Sequence, residues 1–331
     1  MADIGLPQGL DGHSRATQGT AATNEYDRWI SVTMEFRCNL RCTHCMIEGT
    51  MSSLRPTENA DLADILRMQR QQELWDGIVL TGAEITLRSD LPQIAAAARE
   101  AGFRHIRVQT HGMQLHRSAY LDRLVDAGVD QFFISVTAAD EERHDAITKV
   151  RGSWRRMRAG IDLIETRHPL VTVITNTVIT AESVEDLPGI VAAFRDYRCI
   201  VQHEFWNFFP MEEVDSKSLC APLSRVMPAL RAAIACARRA GRRIEVKNIP
   251  ECLLGEDREV LINRQPHLVI DPDFWAGFDR NGFHNCPHRA SCPATECLGL
   301  TAGHLQRFPE EMTLLHPLPS TTQFPTQQSK K

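Results

Sequence analysis

The stretch "EFRCNLRCTHCMIE", Glu35 to Glu48, places three cysteines, Cys38, Cys42 and Cys45, within eight residues. It directly follows "WISVTM" (Trp29 to Met34), an apolar, β-branched run of strand length. Close cysteine spacing in a chain with no secretory start points to metal chemistry rather than to a disulfide framework. Three thiols are one short of the four that usually hold a four-iron cluster. Such a cluster would keep one iron open to a small chelating ligand, as catalytic metal sites generally do. A zinc site completed by His44 or a remote ligand, and three buried thiols with no metal, are the competing readings of the spacing.

Outward from this loop, five more strand-like runs follow: "GIVLT" (Gly77 to Thr81), "HIRVQT" (His105 to Thr110), "QFFISV" (Gln131 to Val136), "VTVITNTVI" (Val171 to Ile179) and "CIVQHEF" (Cys199 to Phe205). Between them, Leu91, Ile94, Ala95 and Ala98 repeat at helical spacing, as do Trp154, Met157 and Ile161, and Leu187, Ile190, Val191 and Phe194. Six strands alternating with helices predict a parallel α/β sheet, open or curled into a full or partial barrel. Both architectures place chemistry at the strands' C-terminal ends. The cysteine loop follows the first strand, Gly82 to Glu84 the second, His111 and Gly112 the third, and Trp206 to Phe209 the sixth. All four stretches therefore meet on one rim.

After a helix expected over Leu223 to Ala240, the segment from Pro250 to Gly303 is loop-rich and carries Cys252, Cys286, Cys292 and Cys297. Such a segment needs a staple. The boundaries expected are a flexible leader over 1–27, the barrel over 28–242, an appendage over 243–307 and a disordered, Pro-rich tail over 308–331. The formal charge of -5 gives no general attraction to nucleic acid or to an anionic membrane. Two basic runs, Arg151 to Arg158 and Arg238 to Arg243, read as solvated helix faces. No run of apolar residues approaches the length of a membrane span, and a cytoplasmic location is expected.

In this order the segments resemble the radical S-adenosylmethionine (SAM) superfamily. Cys38, Cys42 and Cys45 match its C-x3-C-x2-C loop, and His44 stands where an aromatic residue beside the adenine is common. Gly82, Ala83 and Glu84 resemble the G-G-E segment that contacts the methionine amino group, with alanine for the second glycine. "VQTHG" resembles the third-strand segment, with Gln109 facing SAM and His111 in place of asparagine. Ser135 would approach the ribose, and Asn176 would help to hold SAM. The resemblance implies an α/β partial (β/α)6 TIM-like barrel with a loop-rich, twitch-like auxiliary-cluster appendage. It also implies a [4Fe-4S] cluster that cleaves SAM reductively to a 5'-deoxyadenosyl radical, which takes hydrogen from a substrate.

By spacing alone, Cys252, Cys286, Cys292 and Cys297 suit zinc as well as a second cluster, with His284 and His288 as further zinc-type ligands. Beside the first motif they resemble the auxiliary segments of the SPASM and twitch subfamilies. One second [4Fe-4S] cluster fits the count, and whether Cys252 is a ligand stays open. A saturated cluster would transfer electrons, favouring a net oxidation or bond formation. A redox-neutral epimerase or cyclase is the enzymatic alternative, with Cys199, Cys220 or Cys236 as hydrogen donor to an epimerised carbon. Otherwise these three are small buried hydrophobes. A zinc-stabilised binding or scaffold protein is the alternative of a different class.

Glu204 is the candidate general base, because a buried carboxylate requires a reason. Around it, Phe205, Trp206, Phe208 and Phe209 either line the cavity or pack the appendage on the barrel. The expected partners are a small-molecule or peptide substrate and an external one-electron reductant of flavodoxin or ferredoxin type. Only 28 residues precede the first strand, which favours a small molecule over a peptide.

Overall fold

The structure, a computed structural model, describes residues 25–49 and 52–319. Eight strands form one parallel sheet in the order β7-β6-β5-β4-β3-β2-β1-β8. They are β1 (Trp29–Thr33), β2 (Gly77–Thr81), β3 (His105–Thr110), β4 (Gln131–Ser135), β5 (Thr172–Ile179), β6 (Ile200–Asn207), β7 (Arg243–Lys247) and β8 (His267–Val269). The sheet curls into a partial TIM barrel with β7 and β8 at its two edges. Helices α1 (Asn59–Gln72), α2 (Leu91–Glu100), α3 (Ser118–Asp126), α4 (Glu141–Thr148), α5 (Ser153–Arg167), α6 (Leu187–Ala193) and α7 (Leu223–Arg239) alternate with the strands. Three short helices, α8 (Glu251–Leu254), α9 (Asp273–Phe278) and α10 (Ala302–Arg307), belong to the C-terminal segment. Among the described residues no helix is long and apolar enough to cross a membrane.

Strand alternation sorts side chains between two environments. The outer faces carry Ile30, Val32, Ile78, Leu80, Ile106, Val108, Phe132 and Ile134, which pack in one core with Leu91, Leu121 and Ile161 of the helices. A second core joins Ile179, Phe205 and Val246 to Leu187, Val226 and Leu230 of α6 and α7. Each such fully buried side chain contributes roughly 1.5–3 kcal/mol. The helix junctions are tied as well: Asp145, on α4, accepts from the backbone N–H of Trp154 at 3.0 Å and from the Ser153 hydroxyl at 2.8 Å, at the start of α5.

The six expected strands form, and two more join them. Strand β7 pairs with β6 across the boundary expected at 242/243, so the sheet continues past residue 242. Its outward residues Ile244 and Val246 are apolar, but Arg243, Glu245 and Lys247 face inward, a pattern that resembles a solvated strand. Strand β8 pairs with β1 over only three residues, too few to show a period. Residues 309–314 of the expected disordered tail form a 3-10 helix, and Glu311 there accepts from the Leu223 N–H at the start of α7. The leader over 1–24 and the tail beyond 319 lie outside the described residues.

Candidate active site

The cysteine loop has no regular structure and is held from several sides. The Arg41 and Thr43 N–H groups donate to the carbonyls of Thr148 and Ile147 at the end of α4, both at 3.0 Å. The Thr43 hydroxyl donates to Glu182 at 2.5 Å, and Lys217 donates to the Thr43 carbonyl at 3.2 Å while pairing with Glu48. His111 Nδ1 accepts from the Met113 N–H at 3.1 Å, which leaves Nε2–H to donate to Asn39 Oδ1 at 2.7 Å. The loop thus hangs from the ends of β3, α4 and β5.

Within it the three thiols are half-buried and close enough to perturb one another. Burial, then the charges of Cys45 and Cys38, pushes Cys42 up to about 12. Burial also pushes Cys38 up to about 11, with Glu84 and Cys45 adding to it. Ligand thiols must be deprotonated, so such a set becomes thiolate most readily beside metal cations. Among the described residues no three His, Cys, Asp or Glu side chains are arranged to hold a single metal ion. A four-iron cluster takes one thiolate per iron and does not require its ligands to meet at one point. Three grouped thiols on a braced loop fit such a cluster. His44 lies between them, half-buried and pushed down to about 4 by burial.

Gly82 and Ala83 lie directly against this loop. A Cβ at Gly82 would stand 2.1 Å from the Glu35 carbonyl oxygen. The Ala83 N–H donates to that oxygen at 2.7 Å. Glu84 has a task the sequence does not show. It is 0% exposed, and its carboxylate accepts from the Thr86 N–H at 3.0 Å and hydroxyl, the Thr110 hydroxyl at 2.6 Å and the His111 N–H at 2.9 Å. Three of those donors meet Oε1 and one, the His111 N–H, meets Oε2. Its side chain therefore binds the ends of β2 and β3 together, with Oε2 the less committed of its two oxygens.

Inside the barrel, Ser135, Asn176, Glu204 and Glu245 form one register row across β4, β5, β6 and β7. Three residues singled out in the sequence are thus neighbours. Asn176 Nδ2 is buried with no hydrogen-bond partner, a donor left over for a ligand. Gln109 faces the same interior, opposite Phe133. Trp206 also points inward, 6.2 Å from the Phe133 ring, whereas Phe205 packs outward against α7 and Phe209 meets Phe278 and Phe283 of the appendage edge to face. Cys199 and Cys236 pack in the sheet–helix layers, away from this row, and the Cys220 N–H donates to Asp215.

Glu204 is 2% exposed and accepts from Gln202 at 3.0 Å and the Trp206 indole at 2.8 Å. Burial raises its pKa to about 7, although the charge of Lys247 opposes the shift. A carboxyl whose folded value is raised carries no penalty below the unfolded value of 4.5 and the full penalty above about 7. Glu204→Gln should therefore gain about 3 kcal/mol on the native protein between pH 4.5 and pH 8. Urea unfolding at both pH values reads this; a difference independent of pH would mean that Glu204 is not the proton holder.

The second cysteine set lies beyond the C-terminal end of β7. Residues 284–300 form a small hairpin, closed by the Asn285–Leu300 bridge, that carries Cys286, Cys292 and Cys297. Cys252, on α8, lies near Cys297 and Cys286, and burial followed by their charges raises its pKa. Cys297 Sγ accepts from the Glu251 N–H and Cys292 Sγ from the Leu318 N–H, both at 3.4 Å. His288 donates through Nε2 to the Leu315 carbonyl and so holds the following segment rather than joining the thiols.

Sequence reading missed the bracing role of His111 and Asn39. The usable signal was the position of His111 immediately after β3, on the rim that carries the cysteines.

Comparison with known proteins places this geometry. Residues 33–193 match the family model of the Radical SAM superfamily. A probable GTP 3',8-cyclase of Methanopyrus kandleri is 31% identical over 167 residues, 50% of this chain and 52% of that protein. A 7,8-dihydro-6-hydroxymethylpterin dimethyltransferase of Methanocaldococcus jannaschii is 32% identical over 110 residues, 32% of this chain and 21% of that protein. The chain spans about half the length of the GTP 3',8-cyclases it matches. The crystal structure of Streptococcus suis SuiB superposes with a TM-score of 0.52 at 18% identity, over 72% of this chain and 53% of that chain, a likeness of fold.

Proposed function

Residues 33–193 belong to the radical SAM superfamily, and on that premise we propose that this radical SAM enzyme carries out a redox-neutral cyclisation on a small nitrogen heterocycle of the purine or pterin kind. The names of the relatives support this class of substrate, and the GTP 3',8-cyclases among them favour cyclisation over the net oxidation expected from a saturated second cluster. A cluster held by Cys38, Cys42 and Cys45, once SAM is bound, supplies the one-electron cleavage that yields a hydrogen-abstracting radical.

The chain's own residues bind, orient and exclude water. His111, Asn39 and the end of α4 fix the loop, and Gly82 and Ala83 let the β2 backbone approach it closely. Asn176 offers its unpartnered Nδ2–H to SAM, with Ser135 beside it. Glu204, in the same row, holds a proton near neutral pH next to the substrate space. His44 flanks the adenine, and Gln109 lines the interior below. Cys286, Cys292 and Cys297, with Cys252 beside them, would hold a second four-iron cluster, and a flavodoxin- or ferredoxin-type protein would supply electrons.

The observation that carries this reading is the unpartnered Asn176 donor in the interior row, on the rim shared with the three thiols. The test is anaerobic reconstitution with SAM and dithionite against a panel of GTP, other purine nucleotides and pterins. The expected result is substrate-dependent 5'-deoxyadenosine and a product of unchanged mass. A product two mass units lighter would replace cyclisation by oxidation, and no response across the panel would remove this substrate class.

A further inference from the structure

At the opposite end of the barrel, where the strands begin, a cavity of about 190 Å³ is lined by Trp29, His105, Arg107, Gln131, Gln202 and Arg243. At about 30 Å³ per water it has room for about six waters, the scale of a phosphate or a small carboxylate and not of a nucleotide. Arg107 is 6% exposed, its guanidinium lies 4.4 Å over the Trp29 ring, and its Nε donates to Gln131 Oε1. Neither Nη group of Arg107 has a hydrogen-bond or ion-pair partner among the described residues.

The nearby carboxylates are committed elsewhere. Glu204 accepts from Gln202 and Trp206. Glu245 accepts from the Tyr26 hydroxyl at 2.7 Å and lies 3.5 Å from Lys247, and Asp130 pairs with His105 at 2.7 Å. Arg107 feels the charge of Glu204 but makes no direct ion pair, and stacking on an indole compensates only in part for the burial of its guanidinium. The two Nη groups form a planar fork that matches a carboxylate or phosphate in bidentate fashion.

We propose that this cavity is a binding site for a small oxyanion, a phosphate or a carboxylate, anchored by Arg107. The site opens where the strands start, opposite the rim of the cysteine loop, and its existence is independent of the reaction proposed above. Gln131 sets the electrostatics of the site: it accepts from Arg107 Nε and donates to the Thr172 hydroxyl at 3.0 Å. A glutamate of the same size keeps both contacts, because the Thr172 hydroxyl can rotate to donate. It also gives Arg107 an internal counter-charge.

The experiment titrates the 331-residue chain with inorganic phosphate and, separately, with succinate, using sodium chloride at matched ionic strength as control. Calorimetry and thermal unfolding are the readouts. A saturable, one-site response to either anion and none to chloride is expected, and the tighter of the two identifies the ligand as phosphate or carboxylate. Gln131→Glu should weaken that affinity at least tenfold while raising the unfolding temperature without ligand, and Arg107→Met should abolish binding. Absence of saturable binding to either anion, or unchanged affinity in folded Gln131→Glu, would overturn the proposal.

Discussion

A chain in which Cys38, Cys42 and Cys45 are all alanine is expected to form no 5'-deoxyadenosine from SAM and to bind about four irons, against about eight in the native chain. The loop is anchored chiefly through the backbone at Arg41 and Thr43, the Asn39 side chain and the Lys217 contacts. The Cys38 thiol accepts from the Leu40 N–H at 3.3 Å and the Cys45 thiol takes backbone hydrogen bonds from Ile47 and Glu48, contacts within the loop rather than ties to the barrel. All three are half-buried, so their removal leaves small voids and an intact barrel. Loss of cleavage in a protein with native circular dichroism and half the iron assigns the cofactor to this loop. A triple variant that still cleaves SAM would refute the assignment.

Gly82→Ala is expected to cost about 3 kcal/mol and to impair loading of the cluster. The added methyl would meet the Glu35 carbonyl oxygen at 2.1 Å and the Glu35 carbon and nitrogen at 2.9 Å, all backbone atoms that no rotamer change can move. Relief requires the chain at residue 35 to withdraw from β2, breaking the bond between the Ala83 N–H and the Glu35 carbonyl. Residue 35 lies three positions before Cys38, so the displacement reaches the loop. The midpoint of urea unfolding and the iron content should both fall. A variant that retains both would show that the contact is slack.

The sequence carried the rim more clearly than the interior. Parallel strands buried on both sides read as continuous apolar runs, and the loops after β1, β2, β3 and β6 could be placed on one end by connectivity alone. Strand β7 was hidden because Arg243, Glu245 and Lys247 point into the barrel, where Glu245 lies between the two cations and also accepts from the distant Tyr26 hydroxyl. Strand β8 was hidden by its length. Among the site residues, the row of Ser135, Asn176 and Glu204 follows from strand register, and Glu204 was legible as a carboxylate in an apolar run. The role of Glu84 was not, because it depends on Thr110 and His111 arriving from the next strand. The Arg107 cavity likewise arises only when several strand starts come together.

The most direct test of the account is anaerobic reconstitution of the native chain with iron and sulfide, followed by SAM and dithionite. About eight irons per chain and 5'-deoxyadenosine formation that requires reductant are the expected results. Bound zinc, with no cleavage of SAM, would contradict it.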